Sequence, residues 1–351
     1  MIIREPVTLL YLGKKGGGAE MTREISKELR ASTKFEVRNI VLRGDNKLFR
    51  EFDQNKVIRL FDSGYSLRSL CKLMYFYLRP RVLLRRLEIT PGGVCVVPMM
   101  SPLGILVEKI LAKKEIRILR LIHDAGRHPG DRWPSTRLIK KIIRKSDFVI
   151  CLSETVEKKI IEINPAVRTS VYTHPIFHFT FDRKSLELPE KFFLFIGRIR
   201  EYKGLEMLVG AYASLASDKL PLVIAGEGRI NFEIPKKSLL FNRWLTESEI
   251  AEFVFRAEVV VFPYLEASQS GLIPYCKKLN KKIVVTPIAG LIEQTKCYAN
   301  SFVASDISEN ELAKALTDAE NAAALEIRNP QNHSHSLLEL CLVNSGYFSA
   351  V

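Results

Sequence analysis

The segment Phe192–Leu208, FFLFIGRIREYKGLEML, combines an apolar strand, a cationic turn and the start of a helix. Its apolar run ends at Gly197, Arg198 and Lys203 follow in the turn, and Gly204 opens the helix. A planar arginine fork, a mobile lysine and the free N–H groups of a helix start are groups that bind phosphate oxygens. The segment therefore predicts an anion site at the carboxyl end of a strand, although two surface cations that flank a turn would give the same pattern in this segment alone.

On both sides of this segment, short apolar runs alternate with helix-like stretches in two series. The first series lies at 6–12, 37–42, 94–97, 116–122, 148–152 and 170–173, and the second at 191–196, 220–225, 259–263, 283–285 and 302–304. Strands that alternate with helices indicate parallel sheets covered on both faces. We therefore predict an α/β protein with two Rossmann-like, doubly wound domains facing across a cleft, and ligands beyond the carboxyl ends of the strands.

The length of 351 residues also favours two domains over one. We place the N-terminal domain at 1–180, a linker at 181–190 and the C-terminal domain at 191–325, because periodicity lapses around 177–190. The last stretch, 326–351, receives no structural assignment.

Composition excludes several classes of protein. Hydrophobic residues make up 47% and charged residues 26%, as in ordinary globular chains. The six cysteines lack a Cys-x-x-Cys pair, so we expect reduced thiols rather than a zinc ribbon or a disulfide framework. The first apolar run follows Arg4 and Glu5, unlike a secretory signal, and 94–107 is broken by prolines, so we expect a cytoplasmic protein.

The formal charge of +14 predicts an anionic partner. Basic residues mix with leucines and aromatics in Ser66–Arg86 and recur in Arg137–Lys145, as in helices that rest on anionic lipid. A helix packed on the core with a solvated basic face has the same pattern. Nucleic acid is not expected, because the chain has no zinc finger, basic zipper or RNP-like motif. We expect a peripheral protein on the inner face of the cell membrane.

Four more segments follow the cationic turn, and their order matches a known family. They are 222–229 (LVIAGEGR), 241–250 (FNRWLTESEI), 259–272 (VVVFPYLEASQSGL) and 281–293 (KKIVVTPIAGLIE). Together with the turn they resemble the donor-binding half of the retaining GT-B glycosyltransferases of family four, also called glycosyl transferases group 1. The resemblance covers about 191–316, and it is weak in the N-terminal half.

This resemblance implies that Arg198 and Lys203 bind the diphosphate of a UDP- or GDP-linked sugar and stabilise it as it leaves, without a metal ion or other cofactor. It implies a glycine loop at Gly226 and Gly228, and a nucleobase cradle formed by the backbone of Arg243, Trp244 and Leu245. The other donor contacts that it implies are Gly197, Ser268, Ser270, Gly271 and Leu272.

The chain departs from the family at one acidic motif. The positions of the usual Glu-x7-Glu pair are Ala267 and Tyr275, and the segment instead resembles a Pro-Tyr…Gln-Ser-Gly subgroup. Glu266 is then the candidate carboxylate beside the sugar, although a position on the loop surface fits it equally.

The N-terminal half offers further candidates. Gly17 and Gly18 resemble the family's glycine loop, which approaches the donor phosphates, although a plain glycine turn before a helix would look the same. His123 resembles the family's strand-end histidine beside the transferred sugar, or it is a turn histidine with a local partner. The residues predicted to contact the acceptor are Asp124, Arg127 and Arg132.

The resemblance implies transfer of a sugar, with retention, to a hydroxyl of a saccharide or lipid-linked acceptor in bacterial-type cell-surface polysaccharide synthesis. Two alternatives remain open: a nucleotide-sugar epimerase of the same fold, and a non-catalytic partner subunit. The presence of Arg198 and Lys203 argues against the partner subunit, and the missing glutamate pair argues for it.

Overall fold

A computed structural model describes residues 4–13, 16–43, 57–61, 66–127, 133–179, 186–325 and 334–348. The chain divides into two compact units. Unit 1 consists of Met1–Gly126, Pro134–Pro175 and Gln331–Val351, and unit 2 consists of Arg127–Trp133 and Ile176–Pro330.

Unit 1 is built on a parallel sheet. Within the described ranges its seven strands have the order β3-β2-β1-β4-β5-β6-β7. The strands are β1 (Glu5–Tyr11), β2 (Phe35–Arg43), β3 (Val57–Phe61), β4 (Val94–Val97), β5 (Arg117–Ile122), β6 (Phe148–Cys151) and β7 (Arg168–Val171). The helices are α1 (Gly17–Ala31), α2 (Leu67–Leu78), α3 (Pro80–Leu87), α4 (Pro102–Ala112), α5 (Thr136–Arg144), α6 (Glu154–Ile163) and α12 (Ser334–Asn344).

Unit 2 repeats this plan. Its described strands form a parallel sheet in the order β10-β9-β8-β11-β12-β13. They are β8 (Phe193–Ile196), β9 (Leu222–Ala225), β10 (Leu239–Phe241), β11 (Val259–Phe262), β12 (Lys282–Val285) and β13 (Ser301–Val303). The helices are α7 (Leu205–Ala213), α8 (Glu247–Arg256), α9 (Ile273–Lys278), α10 (Ala289–Thr295) and α11 (Glu309–Asn321).

Burial explains why the central strands are continuous apolar runs. Helices cover both faces of a parallel sheet, so every side chain of such a strand needs to be apolar. All four residues of β8 and all four of β11 are buried. Each sheet order reverses beside its first strand, between β1 and β4 and between β8 and β11, which is where such folds bind ligands. The predicted α/β class with two parallel-sheet domains is confirmed.

The C-terminal helix α12 packs in unit 1. Its Leu338, Cys341 and Leu342 are buried in the same core as α1 and β1. The Ser32 hydroxyl donates to Oε2 of Glu339 over 2.8 Å, which ties α12 to the end of α1. The sequence left this stretch without an assignment.

The basic stretch Ser66–Arg86 divides at Pro80 into two helices with different surroundings. In α3, Leu83, Leu84 and Leu87 are buried, so this helix packs on the core and leaves its arginines in solvent. In α2, most of the apolar side chains remain exposed. No helix in the described part of the chain is long and apolar enough to span a bilayer.

Candidate functional site

In unit 2 the loops after β8 and β9 run side by side. Gly197 and Gly226 have φ of +134° and +146°, a conformation that favours glycine. A Cβ at Gly226 would lie 1.8 Å from the carbonyl oxygen of Gly197, and one at Gly228 would lie 2.2 Å from that of Ile199. The three glycines predicted from the sequence therefore let the two loops meet.

A fourth glycine joins the β8 loop to the end of β11. Gly204 has φ of +65°, and a Cβ there would lie 1.8 Å from the carbonyl oxygen of Pro263. The Leu265 N–H donates to the Tyr202 carbonyl over 2.8 Å. Both contacts lie at the point where the order of the sheet reverses, so the cationic turn stands where this fold can hold a ligand.

The two cations of this turn have different surroundings. Arg198 is exposed. The Nζ atom of Lys203 lies 3.5 Å from the ring centroid of Tyr264, a cation–π contact that fixes the ammonium group. Tyr264 itself is buried. One cation is thus free to meet an anion at the surface, and the other is held in place on a rigid ring.

Ser270, a predicted residue of the loop after β11, is held by Gln294 and Tyr264. Its N–H donates to Oε1 of Gln294 over 2.6 Å, and its carbonyl accepts from Nε2 of the same side chain over 3.1 Å. Its hydroxyl lies 3.2 Å from that of Tyr264. Gln294 was not identified from the sequence, because it lies on α10, twenty-four residues away.

Helix α10 packs tightly on this loop. Ser268 is buried, and a Cβ at Gly290 of α10 would lie 2.0 Å from its carbonyl oxygen. Gly271 and Leu272 directly precede α9, which begins at Ile273. Glycine at position 290 therefore allows the helix to approach the predicted donor loop.

The loop after β11 and the helix α9 that follows it also carry the candidate carboxylate, the positions of the missing glutamates and one buried amide oxygen. Glu266 is exposed. Ala267 and Tyr275, the positions of the missing glutamates, are buried, and Tyr275 packs edge-on against Phe179 at 4.8 Å between centroids. Oε1 of Gln269 is buried without a hydrogen-bond partner among the described residues, which leaves an acceptor available to a ligand.

The segment predicted to hold the nucleobase precedes α8. The Arg243 guanidinium donates to Oε1 of Glu249 over 2.7 Å, and this bond is the main cause that lowers the pKa of Glu249 to about 2. Leu245 is buried and Trp244 is half-buried. The Arg243 N–H donates to the Phe241 carbonyl over 3.0 Å, so a backbone contact from Arg243 to a nucleobase stays a prediction.

In unit 1 the glycine loop lies against two strand ends. α1 begins at Gly17, and a Cβ at Gly18 would lie 2.6 Å from Sδ of Met99 and 2.7 Å from the Tyr11 hydroxyl oxygen. A Cβ at Gly17 would meet nothing within 4 Å. Packing therefore accounts for Gly18, while Gly17 borders open space.

His123 follows β5 and is half-buried. Its Nε2 lies 2.9 Å from the Pro98 carbonyl, which accepts the hydrogen bond from Nε2–H. Burial lowers the pKa of His123 below its ordinary value. Burial also lowers the pKa of His174, which follows β7, to about 4, with a smaller contribution from His123. The sequence did not identify His174.

The predicted acceptor residues are only partly described. Asp124 is half-buried and Arg127 is exposed. Arg132 lies outside the described residues. Within the described part of the chain, no group of three His, Cys, Asp or Glu side chains is arranged to hold a metal ion.

Comparison with known proteins agrees with this geometry. Residues 190–321 match the family described as glycosyl transferases group 1. Anabaena HepE in complex with UDP-glucose has a similar structure (12% identity, 98% of this chain and 95% of that chain covered, TM-score 0.66). So does sucrose-phosphate synthase from Thermosynechococcus elongatus (16% identity, 97% and 96% covered, TM-score 0.65).

The lipopolysaccharide outer core galactosyltransferase WaaB also has a similar structure (12% identity, 98% of each chain covered, TM-score 0.60). No curated protein sequence matches the chain. At these identities the structural likeness establishes the fold alone, and the family match covers the stretch that holds the loops of unit 2. Residues 190–321 thus match the glycosyl transferases group 1 family, and the chain has the GT-B fold.

Proposed function

We propose that the enzyme transfers a sugar from a nucleoside diphosphate sugar to a hydroxyl of a saccharide or lipid-linked acceptor. The observation that carries this proposal is the loop cluster of unit 2. There Gly204 and Gly226 let the ends of three strands approach, and Arg198 and Lys203 stand on the same turn. HepE was solved with UDP-glucose, which favours a UDP-linked donor over a GDP-linked one.

In the proposed reaction the bond from the anomeric carbon to the leaving phosphate oxygen breaks, and a bond from the acceptor oxygen forms. Arg198 and Lys203 stabilise the negative charge that develops on the diphosphate. With retention, the acceptor approaches on the face that the phosphate leaves, so a phosphate oxygen receives the acceptor's proton. The protein then supplies positioning and positive charge rather than a nucleophile or a metal ion.

His123 is proposed to contact the transferred sugar as a neutral group. Because Nε2–H is engaged with the Pro98 carbonyl, Nδ1 is the nitrogen that accepts a hydrogen bond from a sugar hydroxyl. Glu266 is proposed as the carboxylate near the sugar, and Asp124 and Arg127 as contacts of the acceptor.

The acceptor class and the location are part of the same proposal. A basic chain of charge +14 that modifies a lipid-linked saccharide would work on the inner face of the cell membrane. The name of WaaB, a lipopolysaccharide galactosyltransferase, supports a role in cell-surface polysaccharide synthesis.

A thermal-shift panel of UDP-, GDP- and ADP-sugars, run in EDTA, tests the donor site. A UDP-sugar at about a hundred times its dissociation constant stabilises by about 2.7 kcal/mol, which raises the unfolding temperature by roughly 5 °C or more. The shift is expected to persist in EDTA, because the cations are those of the protein. Binding that requires added manganese, or no response to any nucleotide, would contradict the proposal.

The same donor incubated without an acceptor separates transfer from epimerisation. NMR of the sugar after incubation is expected to show an unchanged ring, whereas an epimerase would produce a second sugar from the donor alone.

Replacing Gln294 by Ala is expected to weaken UDP binding about tenfold, or about 1.4 kcal/mol. The change removes both hydrogen bonds that fix Ser270, so the loop loses its preset conformation. Calorimetric titration with UDP measures the effect, and Lys296→Ala, an exposed residue directly after α10, is the matched control. Equal affinities in the wild type and in Gln294→Ala would show that the Gln294 hydrogen bonds do not prepare this loop for donor binding.

A further inference from the structure

Helix α2 leaves most of its apolar side chains in solvent. Leu67, Met74 and Leu78 are 76%, 60% and 71% exposed. The buried residues of this helix are Ser69 and Phe76. Large apolar side chains concentrated on one exposed helix mark an interaction surface rather than ordinary scatter.

Four residues of α2, namely Leu70, Leu73, Met74 and Tyr77, line a groove that α2 forms with α4 and α5. The groove has a volume of about 1080 Å³. Its apolar lining comes from each of the three helices and includes Leu70, Leu73, Leu106, Ile110, Leu138 and Ile142. All of these residues belong to unit 1. The groove is therefore a feature of one unit, well apart in sequence from the loops of unit 2.

Lysines surround this apolar floor. Lys109 and Lys113 come from α4 and its C-cap, and Lys141 and Lys145 come from α5 and its C-cap; all four are exposed. The acid in the lining, Glu108, is neutralised by Arg120 at 2.7 Å. The border of the groove is thus strongly positive.

We infer that the α2–α4–α5 groove docks on an anionic lipid bilayer. The exposed side chains of α2 enter the acyl region, and the four lysines lie on the headgroup phosphates. This inference refines the membrane association that is part of the proposed function, because it assigns the residues that make it. It does not depend on which sugar is transferred.

The chemistry of the surface favours a bilayer over other occupants. Side chains that combine an apolar stem with a cationic head, placed around exposed leucines, match the boundary between acyl chains and phosphates. A second copy of this chain carries the same charge of +14, so repulsion opposes self-association through this face. Tyr77, whose ring lies 4.2 Å from Nζ of Lys113, is an amphipathic group suited to the headgroup level.

Helix α3 provides an internal contrast. Its Arg81 and Arg85 are exposed, as the lysines of the groove are, but its leucines are buried in the core. If charge alone attracted the protein to lipid, the arginines of α3 and the lysines of α5 would contribute equally. If the groove docks, the lysines contribute more.

Vesicle flotation tests this with two variants that remove the same number of charges. On vesicles of phosphatidylcholine with phosphatidylglycerol, Lys141→Gln/Lys145→Gln is expected to bind at least about tenfold more weakly than wild type, because each lysine near the surface contributes strongly. The matched control, Arg81→Gln/Arg85→Gln, is expected to retain most of the binding. Raising the salt from about 0.1 M to about 1 M should release the wild type.

A third variant tests insertion. Leu67→Ser/Met74→Ser/Leu78→Ser keeps every charge and is expected to lose at least about tenfold in vesicle binding, since apolar area contributes directly to the affinity. These side chains are exposed, so thermal unfolding should remain that of the wild type and verify folding.

Three outcomes would overturn the inference. They are equal loss in the α5 and α3 variants, unchanged binding by the triple-serine variant, or a wild-type dimer in light scattering that the triple-serine variant dissociates. The thermal shift with UDP-sugars is measured on the same variants, so a failure of the donor site is distinguished from a failure of docking.

Discussion

Replacing Arg198 or Lys203 by alanine is expected to lower turnover at least about a hundredfold, equivalent to about 2.7 kcal/mol of transition-state stabilisation. Each change removes a positive charge from the turn that meets the leaving diphosphate in the proposed reaction. The fold should persist, since Arg198 is exposed and Lys203 is only half-buried.

Release of UDP from the donor that binds best, in the presence of an acceptor, measures turnover. Lys236→Ala is the matched control. This exposed lysine precedes β10, so it lies on the side of the sheet where the strands begin, whereas the loop cluster lies where they end. Lys203→Arg keeps the charge and should lose less than Lys203→Ala, although its planar group fits the Tyr264 ring differently.

The variants also separate binding from chemistry. If the cations act mainly on the developing charge, the turnover number should fall more than the affinity for intact donor. Turnover near that of the wild type in both alanine variants would contradict the proposal that Arg198 and Lys203 stabilise the leaving diphosphate.

The conformation of the cationic turn could be predicted because its requirements are local. Gly197 and Gly226 adopt a backbone conformation that favours glycine, and a side chain at position 204 would collide with the Pro263 carbonyl. Each of these positions is therefore a glycine that can be recognised in the sequence. The same strands are buried on both faces, which makes their apolar runs easy to recognise. Local chemistry and fold thus agree at this edge of the sheet.

Features that depend on tertiary contacts could not be predicted. Gln294 is one glutamine on a short helix, and only the close packing allowed by Gly290 brings it to Ser270. Strands β3 and β10 were missed because both lie at sheet edges, where β10 is partly exposed and only three residues long. Helix α12 was missed because its partners, α1 and β1, lie at the other end of the chain.

The basic stretch 66–86 illustrates the limit of pattern reasoning. Apolar and basic residues are mixed in α2 and α3 alike, yet α3 buries Leu83, Leu84 and Leu87 while α2 exposes Leu67 and Leu78. Which apolar face finds a partner depends on neighbouring helices, and one sequence segment carries no information about them.

A buried carboxyl group in unit 1 is expected to make stability depend strongly on pH. Glu28 of α1 accepts a hydrogen bond of 2.7 Å from the Tyr172 hydroxyl through Oε1. Its Oε2 is buried without a hydrogen-bond partner among the described residues. Burial raises the pKa of Glu28 to about 7. The hydrogen bond from Tyr172 acts in the opposite direction and lowers this pKa, and the negative charge of Glu24 raises it further.

The sign of the effect follows from the two states of the chain. In the unfolded chain this carboxyl group has its ordinary pKa of 4.5, and in the folded chain its pKa is about 7. Between these values the folded state retains a proton that the unfolded state has lost, so stability falls as pH rises through this window. The loss is complete above the folded pKa and amounts to roughly 3 kcal/mol.

Glu28→Gln is therefore expected to remove most of this pH dependence and to be more stable than the wild type at pH about 8, by an amount on the order of 3 kcal/mol. Urea unfolding at several pH values between about 4 and about 8 measures the slope, and Glu162→Gln, an exposed glutamate of α6, controls for the loss of one charge. The amide side chain keeps an acceptor for the Tyr172 hydroxyl and introduces no ionisation, so the variant isolates the proton at Glu28. Parallel stability curves for the wild type and Glu28→Gln across this range would show that burial does not retain that proton.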